Sequence, residues 1–379
     1  MGTLLIPDQI VTRTGLQTGQ ALLIESGMIA RLGPVADLQG PGNEEVQLPD
    51  QTLAPGLVDL QVNGGGGCLL NDQPTLEGIR TLVCAHQQSG STTILPTLIS
   101  CDLPTMVQAR EAVEAGLEQN LPGLAGLHFE GPFLDQSKRG AHAAESLRPP
   151  ATEDMELLEQ ASQGALLLTL AASHASDDFC TRMAQAGVVL SLGHSAASAD
   201  EANAAFDRGV HLVTHLYNAM SPLAHRDPGL VGAALADKRV TVGLIADGQH
   251  VHPTALRAAW AAKGGERFLC VSDAIGLAGT NLQETQLAGQ TVRIESGRCV
   301  NQEGRLAGSA IVLSDSLPIL VNEVGLTLPQ ALDACATVPA RVLGLSDRGT
   351  IHPDLRADLI ALDQDLVVKS VWVAGQRLA

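Results

Sequence analysis

Aromatic residues are scarce in this chain: five Phe, two Trp and one Tyr make up 2% of 379 residues. That scarcity disfavours base-stacking modules and aromatic sugar platforms. Basic residues are also few. Lys and Arg number 23 against 41 Asp and Glu, a net charge of −18. Surfaces that track a phosphate backbone are basic, so no nucleic-acid partner is expected. No stretch approaches the roughly 18 apolar residues of a membrane span. Residues 1–8 lack the basic start of an export leader, and Ile6 stands where a myristoylation signal needs Ser or Thr. The seven cysteines are scattered, odd in number and without a Cys-x-x-Cys pair. They read as reduced thiols of a cytoplasmic protein rather than a disulfide frame or a zinc ribbon.

What is present alternates. Short β-like runs at 20–25 and 28–32, split by Ser26-Gly27, suit a hairpin. Two more, at 358–362 and 367–373, close the chain. Because termini often lie together, both ends are expected to build one small β domain, residues 1–53 with 343–379, around a large middle, 54–342. The middle carries eight apolar runs of strand length: 57–62, 93–97, 125–130, 166–171, 188–194, 212–215, 242–246 and 269–273. Helical spacing fills the gaps, as in Leu76, Ile79, Val83 and His86, or in the Ser-capped stretch 198–207. Eight βα units predict an α/β fold, a (β/α)8 TIM-type barrel with a small β-sandwich from both termini. A doubly wound open sheet is the alternative, but no Gly-x-Gly-x-x-Gly follows the first strand. Gly64–Gly67 reads as a tight βα loop.

Barrel active sites form at the C-terminal ends of the strands. The polar residues closing these eight runs are Gln61 and Asn63, Thr97, Glu130, Ser173 and His174, His194, His215, Asp247 and Asp273. Taken singly, Glu130 reads as a solvated carboxylate, and His194 or His215 as a hydrogen-bonded core imidazole. Together, one carboxylate and two imidazoles on one rim match a catalytic metal site with an open fourth position. A divalent cation can lower the pKa of a bound water from 15.7 to about 7. Asp273, ending the last run, is the candidate general base; facing a cation, it should keep a low pKa and stay ionised. Alone, it could equally be an N-cap or half of a salt bridge.

These residues carry a resemblance. His128-Phe129-Glu130-Gly131-Pro132, Gly193-His194-Ser195, Thr214-His215-Leu216-Tyr217-Asn218-Ala219-Met220, Arg226-Asp227-Pro228-Gly229-Leu230 and Leu306-Ala307-Gly308-Ser309 occur in order along nearly the whole chain. It resembles the N-acetylglucosamine-6-phosphate deacetylases of the metal-dependent amidohydrolase superfamily. The resemblance implies metal ligation by Glu130, His194 and His215, and an acid–base role for Asp273. It implies that Ala141 and His142 meet the substrate, with His142 polarising the acetyl carbonyl. Asn218 and Ala219 would sit by the phosphate of a small sugar-phosphate substrate. Arg226 would reach it across a homodimer interface, while His250, Leu306, Ala307 and Gly308 would line the sugar pocket.

Two departures stand out. Many amidohydrolases open the first strand with His-x-His, giving a second metal site; here the position reads Gln61-Val62-Asn63. An amide is a poor donor to a divalent ion, so one metal ion per subunit is expected, Zn2+ or Fe2+. Some relatives carry Pro-Glu after Thr-Leu-Ala, where this chain has Ala172-Ser173-His174. The expected reaction is hydrolysis of the acetamide of N-acetyl-D-glucosamine 6-phosphate. The 4-epimeric galacto sugar is the alternative substrate. A cyclic-amide hydrolase and a catalytically silent sugar-phosphate sensor are more distant alternatives.

Overall fold

The computed structural model describes residues 2–302 and 304–378. Eight parallel strands follow one another in spatial as well as chain order: β1 (Leu57–Val62), β2 (Ser91–Ile99), β3 (Gly126–Glu130), β4 (Ala165–Leu170), β5 (Val189–Leu192), β6 (Leu212–Val213), β7 (Thr241–Leu244) and β8 (Phe268–Cys270). The chain beyond β8 returns to β1. The Asp273 N–H donates to the Gln61 carbonyl at 3.0 Å, and Ala274 bridges Val62. This closes the barrel. Each of the eight apolar runs read from the sequence overlaps one of these strands.

The strands read as unbroken apolar runs because both faces are covered. Alternate residues, among them Val58, Leu60, Leu95, Leu167, Leu212, Leu269 and Val271, fill the barrel interior. Their neighbours meet the surrounding helices in a second, larger core. Local chemistry starts those helices. Thr75 caps Leu76–Gln88, Asp102 caps Leu103–Glu118, and Ser198 with Glu201 forms a capping box on Ala199–Asp207. In the first of these, Ile79, Val83 and His86 are buried, and Leu76 is half-buried.

Both termini contribute to one flanking sheet. Its order runs Gln376–Arg377, Val368–Val373, Leu359–Leu362, Glu44–Pro55, Thr3–Thr12, Gln20–Glu25, Met28–Pro34, with Gly15–Thr18 added on Thr3–Thr12. The sheet curls until its ends touch. Ala357 N–H donates to the Gly27 carbonyl at 2.9 Å, and Ile29 N–H to the Leu355 carbonyl at 2.8 Å. Trp372, Leu22, Leu53 and Leu359 pack inside the curl.

One element was not foreseen. Between β8 and the Leu306 motif lies an antiparallel meander, Glu284–Leu287, Gln290–Glu295 and Arg298–Asn301. Its two turns, Ala288-Gly289 and Ser296-Gly297, have positive φ at both positions, 49° and 74°, then 50° and 79°. Such turns match the twist of a hairpin.

Candidate functional site

The strand ends converge as barrel geometry requires. Glu130 is the last residue of β3; His194 and His215 follow β5 and β6 by two residues. All three are buried, and their ligand atoms lie within 4.8 Å of one another. Glu130 Oε1 is 3.2 Å from His194 Nε2 and 3.0 Å from His215 Nε2, and the two nitrogens are 3.0 Å apart. His194, His215 and Asp273 have φ of 47°, 31° and 52°, and Ala219 beside them 52°. Left-handed backbone at non-glycine residues is uncommon, and it gathers here where three strand-to-loop connections aim side chains inward.

The donor set fits a cation. His194 Nδ1–H donates to the Lys138 carbonyl at 2.8 Å. Unless Nε2 also carries a proton, its lone pair faces a carboxylate oxygen, an arrangement that a positive charge between them relieves. The separations also approach the edge of a tetrahedron with bonds of about 2.0–2.1 Å, roughly 3.3 Å. The loop carrying Lys138 comes this close because Gly140 has φ of 57°, and a Cβ there would lie 3.2 Å from His194 Cε1.

Charge organises the rest. Burial works against the charge of Glu130, but hydrogen bonds from His194 and His215 hold its carboxyl well below the usual range. Asp273 goes the other way. Burial and the nearby Glu130 raise it to about 6, whereas the sequence suggested a low value. That expectation counted a facing cation, whose charge acts against burial. Gln61 Nε2–H2 spans both acids, donating at 2.9 Å to Glu130 Oε1 and 2.9 Å to Asp273 Oδ1; Asn63 donates to the same Asp273 oxygen at 2.7 Å. Gln61 thus presents donor hydrogens to the acids, not a lone pair to an ion. Burial lowers His142 to about 3, which keeps the ring neutral. Its Nε2 lies 4.0 Å from Glu130 Oε2.

These residues line a cleft of about 490 Å3, within the usual size of a small-molecule site. Its walls include Ala141, His142, Asn218, Ala219, His250, Leu306, Ala307 and Gly308, all anticipated. His250 is held by Asp247, whose Oδ2 lies 2.7 Å from its Nδ1. Arg226 is not among the lining residues and is exposed on segment 221–228. Thr97, Ser173 and His174 also stay outside: Thr97 accepts from Val62 N–H, and Ser173 donates to Asp135. Sequence reasoning did not place Lys138, Arg139 and Arg305 in the wall. Their adjacency to His142 and Leu306 was the available signal. They give an acidic protein a locally cationic mouth.

A closed (β/α)8 barrel whose rim gathers a carboxylate, two imidazoles and a half-buried aspartate defines a hydrolase class. The chain belongs to the Amidohydrolase family, whose model matches residues 52–378; members are metal-dependent, and Glu130, His194 and His215 can hold an ion. Within it, the chain is 36% identical to an N-acetylgalactosamine-6-phosphate deacetylase of Shewanella sp. (strain ANA-3), covering 99% of this chain and 96% of that one. It is 32% identical to an N-acetylglucosamine-6-phosphate deacetylase of Haemophilus influenzae, covering 98% of each. Among solved structures, N-acetylglucosamine-6-phosphate deacetylase from Pasteurella multocida superposes with a TM-score of 0.96 at 32% identity, over 100% of both chains.

Proposed function

We propose that this chain hydrolyses the acetamide of N-acetyl-D-glucosamine 6-phosphate to D-glucosamine 6-phosphate and acetate. The observation that carries the reading is the juxtaposition of Asp273 and His142 around the Glu130, His194 and His215 cluster in one cleft. Glu130, His194 and His215 would hold one divalent ion, Zn2+ or Fe2+, which when bound supplies Lewis acidity to water and carbonyl alike. Asp273, its Oδ1 fixed by Gln61 and Asn63, takes a proton from the attacking water as the new C–O bond forms. The same proton passes to the nitrogen as the C–N bond breaks. His142 donates to the carbonyl oxygen as charge gathers there.

Asn218 and Ala219 would face the phosphate, with Ala141, His250 and Leu306–Gly308 along the sugar. Arg226, exposed in one chain, would complete the phosphate site of a second copy, making the cytoplasmic enzyme a homodimer. Residues 1–53 and 343–379 would form the supporting domain and 54–342 the catalytic one. A second substrate, the 4-epimeric N-acetylgalactosamine 6-phosphate, is favoured by the 36% identity to an enzyme named for it. Amine release from both sugars by metal-supplied protein is the test. Turnover of the gluco sugar is expected; turnover of the galacto sugar alone would reassign the substrate, and silence with both would leave a sensor. Metal analysis should return one ion per chain, and two tightly held ions would refute that count.

A further inference from the structure

We infer that Ser100 is a positioning residue that fixes the tautomer and orientation of His142; the inference rests on the hydrolytic reading above. Ser100 is the first residue beyond β2, is buried, and does not itself line the cleft. Two of its groups converge on one ring atom: the main-chain N–H lies 3.3 Å from His142 Nδ1, and Oγ lies 2.7 Å from it. A main-chain N–H can only donate, so the nitrogen it faces must accept. The hydroxyl hydrogen can join it there. The proton of the neutral ring is therefore left on Nε2, the edge turned toward the cleft.

Among the described residues, none takes a hydrogen bond from that edge. At 4.0 Å, Glu130 Oε2 is too far for a hydrogen bond. An Nε2–H held beside the metal-ligating cluster is a donor in waiting for a carbonyl oxygen, and such donors act by being aimed beforehand. The opposite tautomer would set a ring N–H against the main-chain N–H of Ser100. Among the described residues, the only other acceptor for Ser100 Oγ is the Glu130 carbonyl at 3.5 Å, the longer contact. The backbone makes room for this hydroxyl: a Cβ on Gly131, which has φ of 86°, would fall 2.2 Å from Ser100 Oγ. His142 comes from a loop rather than a strand, so without this clamp its ring would be tied to the barrel less firmly. The same loop is braced by Arg139 Nη1–H donating to the His142 carbonyl at 3.0 Å.

The experiment uses the full chain loaded with Zn2+ and selectively 15N-labelled at histidine, with the His142 signals assigned by their loss in His142→Gln. An unprotonated Nδ1 and a protonated Nε2 are expected at neutral pH; a protonated Nδ1 overturns the inference. This arm needs neither turnover nor a Ser100 variant, so it is decided even if the hydrolytic reading fails. In the kinetic arm, Ser100→Ala should lower kcat about 10- to 100-fold, the usual cost of an outer-shell partner, with KM within about twofold. Ser100→Thr, which keeps the hydroxyl, should restore most of kcat. A Ser100→Ala enzyme with wild-type kcat, or a Thr variant no better than Ala, overturns the inference. Wild-type protein that turns over neither sugar removes the hydrolytic reading and leaves the tautomer measurement standing.

Discussion

Asp358 is a buried acid and Asp273 a half-buried one, and their surroundings are opposites. Asp358, at the seam between barrel and flanking sheet, accepts from Arg356 Nε–H at 2.9 Å and from Ala374 N–H at 2.7 Å. Arg348 approaches it to 3.8 Å while pairing with Asp347 and reaching Thr93 on β2. Two acids meet two guanidiniums, and the seam is neutral. At the rim, Glu130 and Asp273 share the amide of Gln61, and among the described residues no Lys or Arg forms an ion pair with either. The first cluster is finished by the chain itself. The second has surplus negative charge and donors already spent, so it is built to receive a cation from outside.

The largest expected effect falls on the rim alone. Asp273→Asn removes the proton carrier and should cut kcat roughly 10²- to 10⁴-fold. It also removes a half-buried negative charge beside Glu130, so the melting temperature should hold or rise. A variant that keeps its turnover and loses stability would make the rim a second structural cluster. Asp358→Ala should do the reverse. Taking the carboxylate acceptor from Arg356 and Ala374 at a buried seam costs about 3–5 kcal/mol in denaturant unfolding, while kcat of the folded fraction stays near wild type.

A smaller difference is expected on chelation. Stripping the bound ion should lower the melting temperature by the linkage free energy, about 2.7 kcal/mol where free ion had stood at 100 Kd. Zn2+ should restore it, and Asp358→Ala should respond as wild type does. Loss of that response in the seam variant would mean that the two clusters are coupled.

The smallest effect concerns Asp59, which ties β1 to the closing segment by accepting from Ser272 N–H at 3.1 Å and Gln61 N–H at 3.3 Å. Burial raises its carboxyl to about 7. With a folded pKa above the unfolded one, its contribution is full below about pH 4 and is lost as pH rises through 7. Asp59→Asn keeps an acceptor and cannot ionise, so its melting temperature relative to wild type should climb between pH 5 and 8. A constant difference across that range would mean that Asp59 is not titrating.

Much of this was legible from the residues because barrel physics is repetitive. A strand covered on both faces must be apolar, and its end must turn polar, so 126–130 announces both β3 and Glu130. The same rule reached too far at Thr97, Ser173 and His174, because a strand end can point its polar group around the barrel instead of into it. His142 lies on a loop whose path no periodicity encodes; only the resemblance pointed to it. Ser100 was invisible, since one serine after an apolar run is common and its meaning lies in a contact 42 residues away. The strand Thr3–Thr12, broken in pattern by Pro7 and Asp8, takes its register from Gly15–Thr18, Gln20–Glu25 and Glu44–Pro55. The meander after β8 had the same Ser-Gly type of turn as the hairpin at Ser26-Gly27, where φ is 51° and 80°, and that signal was readable in both places.

The flanking sheet sets a schedule for the growing polypeptide. Glu44–Pro55 is paired on one side by Thr3–Thr12, made within the first fifty-five residues, and on the other by Leu359–Leu362, some three hundred residues later. During synthesis that open edge waits while the whole barrel is translated. An unpaired strand edge is a template for other chains, and so distant a partner makes closure slow. The stretch that waits is Thr52–Pro55, and the charged residues Glu44, Glu45 and Asp50 precede it on the same strand, where charge disfavours pairing with another chain.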